Sequence, residues 1–387
     1  MFLNMTLKRN EGLIRAATKL HQQGIIPANT YAIDLDSLEH NVRKLSESAK
    51  EHGLNLYYMT KQIGRSGFVG RIIEQNGIGR AVAVDIDEAI ELKKENCQIG
   101  NIGHIVQPGK SQWEDVLTKL QPEVVTLFSV ERAAQLSAAA EKLGMTQDVI
   151  LRVIKPDDMV YPGQFGGFLI GQLEESLDTL LKLKGIRVIG ITSFPVLQIN
   201  EQKDDFKFTS NIETIKLARE ILERKGVKVS HVNAPSATSC HSIPMLKEWG
   251  VTHGEPGHSI TGTTPLHAYR EDLPEIPSIV YVSEISHMDE KHAYTIAGGF
   301  YARSNMEGAL FGSNENDIVN QRTSVECVSP ENIDYYGCLR REAGMNTGDT
   351  VIYAFRTQIF VTRAHVAFIR NVNSSQPELV HFQRRGM

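Results

Sequence analysis

The sequence predicts an α/β fold: a closed (β/α)₈ (TIM) barrel followed by a C-terminal β domain. Short β-branched runs alternate with longer amphipathic runs from about residue 36 to 270, the pattern of repeated βα units around a parallel sheet. After Pro274 the texture changes to strand-like pieces without intervening helices. The length, 387 residues, exceeds the size at which one core usually stops growing, so a large domain and a smaller one are expected.

Eight runs read as barrel strands: Leu54 to Lys61, Arg80 to Val84, His104 to Gln107, Glu123 to Phe128, Val149 to Ile154, Val188 to Ser193, Val227 to Asn233 and Val251 to Gly254. Between them, Asp87 to Asn96, Val130 to Leu143, Glu174 to Leu183 and Asn211 to Arg224 repeat apolar residues every three or four positions, the helical period. Eight βα units in about 230 residues fit a closed barrel better than an open doubly wound sheet. The barrel is therefore expected over 36–272 and the β domain over 273–387. Strand-like pieces of the latter are Ser278 to Ile285, Ala293 to Ala297, Thr350 to Phe355 and Gln358 to Arg370, with a loop around Ser304 to Asp317. The extended run Asn29 to Asp34 is expected to pair with this domain, tying residues 1–35 partly to it.

Composition narrows the function. A net charge of -5, without a basic block or a basic and aromatic stripe, argues against nucleic acid. Cys97, Cys240, Cys327 and Cys338 are scattered and form no CxxC pair, which favours reduced thiols in the cytoplasm and disfavours structural zinc. The N-terminus turns polar too soon for a signal peptide, and no apolar stretch approaches the ~20 residues of a membrane span. A soluble protein acting on a small molecule is expected.

Lys61 ends the first strand-like run, and a cation there needs a reason. A lysine amine can form a Schiff base with an aldehyde cofactor, and pyridoxal phosphate also needs a phosphate cradle and a partner for its ring nitrogen. Two later segments offer both. Asn233-Ala234-Pro235-Ser236-Ala237-Thr238-Ser239 and Gly254-Glu255-Pro256-Gly257-His258-Ser259 follow runs seven and eight, where barrels commonly bind phosphate. Small residues and Gly257 let backbone amides approach an anion. In a closed barrel strand one neighbours strand eight, so the three pieces can meet. Each alone has a plainer reading, as a surface lysine, a capping loop or a turn.

These residues also carry a resemblance. Ile33-Asp34-Leu35-Asp36-Ser37-Leu38-Glu39-His40-Asn41, followed by Tyr58-Met59-Thr60-Lys61, is similar to the opening of the fold type III pyridoxal phosphate enzymes, the alanine racemase and ornithine decarboxylase superfamily. The resemblance covers the whole chain. It implies a head-to-tail homodimer with shared active sites, Lys61 holding the cofactor, and Ser236, Thr238, Ser239, Gly257, His258 and Ser259 around its phosphate. Glu255 would face the pyridine nitrogen, as in the Glu-Pro-Gly motif of the decarboxylase branch; a carboxylate there favours a protonated ring. Phe194 falls where the family often stacks a histidine on the ring, and a core phenylalanine is its plainer reading. Gln164 to Gly167 stands where alanine racemases carry an arginine, which puts alanine as substrate in doubt.

Racemisation needs a base on each face of the α-carbon, and Lys61 can serve one. By resemblance the other comes from the partner's β domain, with Tyr301, Tyr336 and Cys338 as candidates, each equally readable as a strand aromatic or buried thiol. Related barrels bind a metal through a C-terminal histidine, but His365 lacks a second ligand close by, and no metal is expected. The sequence favours an amino acid racemase. The alternatives are an amino or diamino acid decarboxylase and a non-catalytic pyridoxal phosphate carrier.

Overall fold

A computed structural model of the chain describes residues 1–296, 304, 306–326, 331, 333 and 335–386. The chain divides into two units, the first comprising Met1–Asn41, Gln62–Gly64 and His258–Met387 and the second Val42–Lys61 and Arg65–Gly257.

In the second unit eight parallel strands follow one another: Asn55–Leu56, Ala81–Ala83, Ile99–Ile102, Val124–Leu127, Gln147–Ile154, Ile186–Thr192, His231–Asn233 and His253–Gly254, hereafter strands one to eight. They pair in sequence order, and strand eight pairs with strand one. The ring closes between strands one and two through a parallel bridge from Tyr58 to Ala81, where Tyr58 N donates to Arg80 O (2.9 Å) and Val82 N to Tyr58 O (2.8 Å). Strands two, three and four are buried at every residue, as expected of parallel strands covered by helices outside and side chains within. Helix Ile86–Lys94 starts where the Asp85 side chain accepts from Glu88 N, and Val130–Lys142 where Ser129 accepts from Arg132 N, so both N-termini are satisfied by side-chain caps.

The third strand corrects the sequence reading. It is Ile99–Ile102, and His104 to Gln107 lies in the connection that follows. Gly100-Asn101 interrupts the apolar run and hides the strand, yet both residues are there for packing or polarity within the barrel. A Cβ at Gly100 would sit 2.2 Å from the Tyr57 ring, so only glycine fits.

The first unit holds helices Phe2–Arg9 and Glu11–Gln22 and a sheet in the order Arg322–Ser324, Gly308–Gly312, Thr350–Tyr353, Ile279–Met288, Thr30–Asp34, His365–Arg370, Glu378–Gln383. His292–Ile296 and Tyr336–Arg340 extend it alongside Ile279–Met288. Thr30–Asp34 pairs antiparallel with Ile279–Met288 and parallel with His365–Arg370. Leu13, Ile14, Ala17 and Leu20, at helical spacing, pack on Ala32, Val280, Val282, Leu310, Ile352 and Ile369. The sequence reading missed the two N-terminal helices. It also took Ser304 to Asp317 for a loop, whereas Gly308–Gly312 is a fully buried strand flanked by glycines. Gln358 to Arg370 is not one strand but a 3₁₀ turn, Ile359–Arg363, followed by strand His365–Arg370.

The chain returns to the first unit at His258 rather than at the 272/273 boundary expected from texture. Asn41 explains the early return. Its Nδ2 donates to Ile260 O (3.0 Å) and Ile276 O (2.8 Å) while its Oδ1 accepts from Ile276 N (2.7 Å), holding both ends of that segment.

Candidate active site at the C-terminal end of the barrel

Strand pairing places Lys61. Tyr57 N donates to Gly254 O and Met59 N to Pro256 O, both at 3.0 Å, so the chain just beyond strand one runs beside the Gly254-Glu255-Pro256 segment, and Lys61, expected to end a strand Leu54 to Lys61, instead opens the 3₁₀ turn Lys61–Ile63. The residue before the lysine is pinned as well: Thr60 Oγ1 donates to Glu88 Oε1 (2.6 Å), and Glu88 Oε2 accepts from Val84 N (2.9 Å). Burial pushes the Glu88 carboxyl pKa up against these two hydrogen bonds.

Glu255 is the centre of the buried polar array. Its Oε1 accepts from Asn233 Nδ2 (2.7 Å) and Asn101 Nδ2 (3.2 Å), and Asn101 Oδ1 accepts in turn from Thr126 Oγ1 (2.8 Å). Asn101 is on strand three and Asn233 on strand seven, opposite sides of an eight-strand ring, so the carboxylate they share lies in the bore. Burial raises its pKa to about 7, opposed by the two asparagine bonds and by the positive charge of Lys61. Its Oε2 makes no hydrogen bond and lies 3.5 Å from His104 Nε2. Burial pulls the His104 pKa down to about 3, helped by the Arg152 and Lys61 charges, so its imidazole is neutral at physiological pH.

Phe194 stands edge-on to His104, with ring centroids 5.5 Å apart at 86°, and packs on Tyr161 at 5.6 Å. Arg152, on strand five, is level with Thr192 on strand six, which is level with Asn233 on strand seven. Register partners in adjacent parallel strands share a face, so these three side chains enter the bore with Asn233. Each has a buried polar atom without a hydrogen-bond partner: Arg152 Nη1, Thr192 Oγ1 and Asn233 Oδ1, joined by Glu255 Oε2 and His104 Nδ1. Native interiors rarely leave such atoms unmatched, and five in one barrel mouth mark a surface shaped for a polar ligand.

The loop after strand seven is shaped at a conformational cost. Ser236 (φ 129°) and Ala237 (φ 50°) are successive non-glycine residues in the left-handed region. The serine hydroxyl holds that shape, donating to Leu197 O and accepting from Leu197 N, both at 2.9 Å. Thr238 Oγ1 accepts from Glu255 N, and Ser239 Oγ lies 3.3 Å from Ser242 Oγ. These hydroxyls therefore serve the loop itself, and an anion here would be met chiefly by backbone amides.

Gly257 ends the second unit, while His258 and Ser259 belong to the first, where His258 Nε2 is 2.8 Å from Thr357 O. Tyr336 and Cys338 also lie in the first unit, on strand Tyr336–Arg340 opposite Ile296 and Tyr294. Tyr336 is 44% exposed and Cys338 half-buried. Tyr301 and Cys327 lie outside the described residues. Among the described residues no group of three His, Cys, Asp or Glu is arranged to hold a metal, and no helix is long and apolar enough to cross a membrane.

Sequence comparison supplies the context for this geometry. Residues 33–265 match the model of the alanine racemase N-terminal domain, and residues 280–379 match the YhfX-like C-terminal domain. The chain belongs to the alanine racemase-like family of fold type III enzymes. Among its relatives, the uncharacterized protein YhfX of Escherichia coli K12 is 37% identical over 380 residues, covering 98% of this chain and 97% of that one. Solved alanine racemase-like structures share the fold at low identity. An alanine racemase of Clostridium difficile 630 in complex with cycloserine superposes with a TM-score of 0.67 at 18% identity, over 94% of this chain and all of the other. A D-threonine aldolase of Filomicrobium marinum (TM-score 0.66, 15% identity, 93% and 95% covered) and a D-threo-3-hydroxyaspartate dehydratase of Delftia sp. HT23 (0.67, 15%, 93% and 97%) do likewise. Alanine racemase-like proteins typically bind pyridoxal phosphate and differ in reaction, so the fold leaves the reaction to the site.

The sequence reading missed Asn101, His104, Thr126, Arg152 and Glu88. Arg152 could have been found, because an arginine within Val149-Ile150-Leu151-Arg152-Val153-Ile154 is a cation in a strand buried on both faces.

Proposed function

We propose that the protein is a pyridoxal phosphate dependent amino acid racemase. The five unpartnered polar atoms in the barrel mouth, Glu255 Oε2 among them, are the observation that supports this reading. The residues fit the cofactor: Lys61 offers the amine, Glu255 Oε2 an acceptor for a protonated ring nitrogen, Phe194 an aromatic face, and the loop 236–239 with Gly257 a cradle for phosphate. When bound, pyridoxal phosphate supplies an electron sink for negative charge at the substrate α-carbon.

The chain's own residues do the rest. Asn101 and Asn233 hold Glu255 Oε1, leaving Oε2 to accept a hydrogen bond. Neutral His104 adds no second cation next to that carboxylate. Lys61 Nζ takes or returns the α-proton on one face of the substrate. The opposite face is served by Tyr301, Tyr336 or Cys338, in a homodimer whose copies share sites; the exposure of Tyr335 (71%) and Tyr336 supports a second copy covering this surface. The scattered cysteines support a cytoplasmic setting.

Decarboxylation is the second reading, favoured by the Glu255-Pro256-Gly257 motif, and a non-catalytic carrier the third. Purified protein mixed with pyridoxal phosphate is expected to show a visible absorption band that borohydride fixes in the native chain and not in Lys61→Ala. Amino acids are then screened for α-deuterium uptake in heavy water. Uptake with inversion supports the racemase, CO₂ release the decarboxylase, and a band without either the carrier. No Lys61-dependent band would overturn all three.

A further inference from the structure

Arg152 is a buried cation for which no described residue supplies a counter-ion. The residue is 2% exposed, and burial pulls its pKa down to about 10. Its Nη2 donates to Gln164 O (2.7 Å), its guanidinium carbon lies 4.8 Å over the Phe128 ring, and it makes no ion pair among the described residues. Nη1 has no hydrogen-bond partner among the described residues. The two carboxylates buried in the same barrel hydrogen-bond other groups, Glu255 Oε1 to Asn101 and Asn233 with Oε2 3.5 Å from His104 Nε2, and Glu88 to Thr60 and Val84 N. An uncompensated buried charge is strongly unfavourable, and one held rigid by an aromatic face and a carbonyl is prepared for an anion from outside.

We propose that Arg152 anchors the α-carboxylate of the substrate, so that the carboxylate is retained while the α-proton moves. This rests on the functional reading above. Cofactor phosphate is the other anion available, but its cradle is assigned to the loops after strands seven and eight, whereas Arg152 comes from strand five. The anchor also separates two reactions. Proton removal leaves the carboxylate charge in place, whereas CO₂ loss discharges it, so a guanidinium that binds the carboxylate stabilises the ground state of decarboxylation more than its transition state. Arg152 is thus a specificity-determining residue that biases the site toward proton transfer.

The test is equilibrium binding to the cofactor-loaded protein of alanine, serine, lysine and ornithine, each compared with its own carboxamide. The expected preference of the native protein for at least one acid over its amide is about tenfold to a hundredfold, the size of a hydrogen bond between charged groups. Arg152→Gln is expected to abolish that preference and Arg152→Lys to keep part of it, with cofactor affinity unchanged in both. Equal binding of acid and amide by the native protein overturns the proposal without any variant. Weakened cofactor binding in Arg152→Gln with the preference intact assigns the guanidinium to the cofactor and overturns it too. Absence of the Lys61-dependent band overturns the underlying reading and this proposal with it, while a band with equal binding overturns this proposal alone.

Discussion

Strands seven and eight each contribute two inward layers to the barrel, and the layers differ. At the start of the strands His231 and His253 stack at 3.5 Å and 5°, with Tyr57 packed on both at 5.8 and 5.5 Å. Two residues on, Asn233 and Glu255 meet at 2.7 Å amid unpartnered polar atoms. The first layer takes groups that can titrate and uses them, neutral, as packing: burial lowers the His231 pKa to about 2, aided by His253, and that of His253 to about 4. The second keeps a carboxylate whose pKa is raised to about 7 and leaves it under-solvated. Depth along the bore therefore decides whether a buried polar residue is structural or prepared for a ligand.

Acid should break the histidine layer with the largest effect. Both imidazoles titrate lower when folded than the ordinary ~6.5, so the unfolded chain binds the extra protons, and stability is complete above ~6.5 and lost as pH falls toward the folded values. Between pH 6.5 and 4.5 the pair should cost on the order of 5 kcal/mol, at about 1.4 kcal/mol per group per pH unit. Urea unfolding across this range checks it, and His253→Phe, which keeps a ring in the stack, should make the slope shallower. An unchanged slope in that variant would mean the layer does not govern acid lability.

The carboxylate layer should respond with the opposite sign. Glu255 titrates higher when folded, so its contribution is fullest at low pH and is lost as pH rises from ~4.5 through about 7. Glu255→Gln should therefore stabilise the cofactor-free protein at pH 8 by about 2–3 kcal/mol while weakening pyridoxal phosphate binding. Thermal unfolding and cofactor titration on one preparation read both; destabilisation at pH 8 would count against the assignment. The smallest effect belongs to Thr126→Val. Losing its hydrogen bond to Asn101 should loosen the asparagine, costing about 1 kcal/mol of stability and a few-fold in cofactor affinity.

The barrel was legible because helical and strand periods alternate regularly over most of its length, and helix Asn211–Arg224 stands where the period places it. Strand three was not, because its Gly-Asn pair lowers the apolar signal at the position where Asn101 must reach Glu255. The same conflict hid Arg152. Lys61 and Glu255 could be read because they follow strands, where a polar residue is conspicuous, although Lys61 opens the turn Lys61–Ile63 rather than ending strand one, whereas Asn101 and Arg152 sit inside runs that a search for apolar continuity either rejects or absorbs. Gly308–Gly312 was hidden in a different way, by a composition typical of turns in a strand that the surrounding sheet buries completely.

The ring of strands has two thin joints, seven to eight with one register pair and one to two with one bridge. Strands five and six are held over six register pairs, whereas strands one and two meet at a single bridge carried by the Tyr58 and Val82 amides. A hoop under thermal strain opens at its weakest welds, so in amide hydrogen exchange these two protons should be released before those of Leu151 and Ile191. Lys61 is three residues beyond the weld at Tyr58. The residue expected to bond the cofactor therefore sits beside one of the parts of the barrel that breathe first, which gives a large aldehyde a way to reach the amine at the start of the turn Lys61–Ile63 without unfolding the rest of the wall.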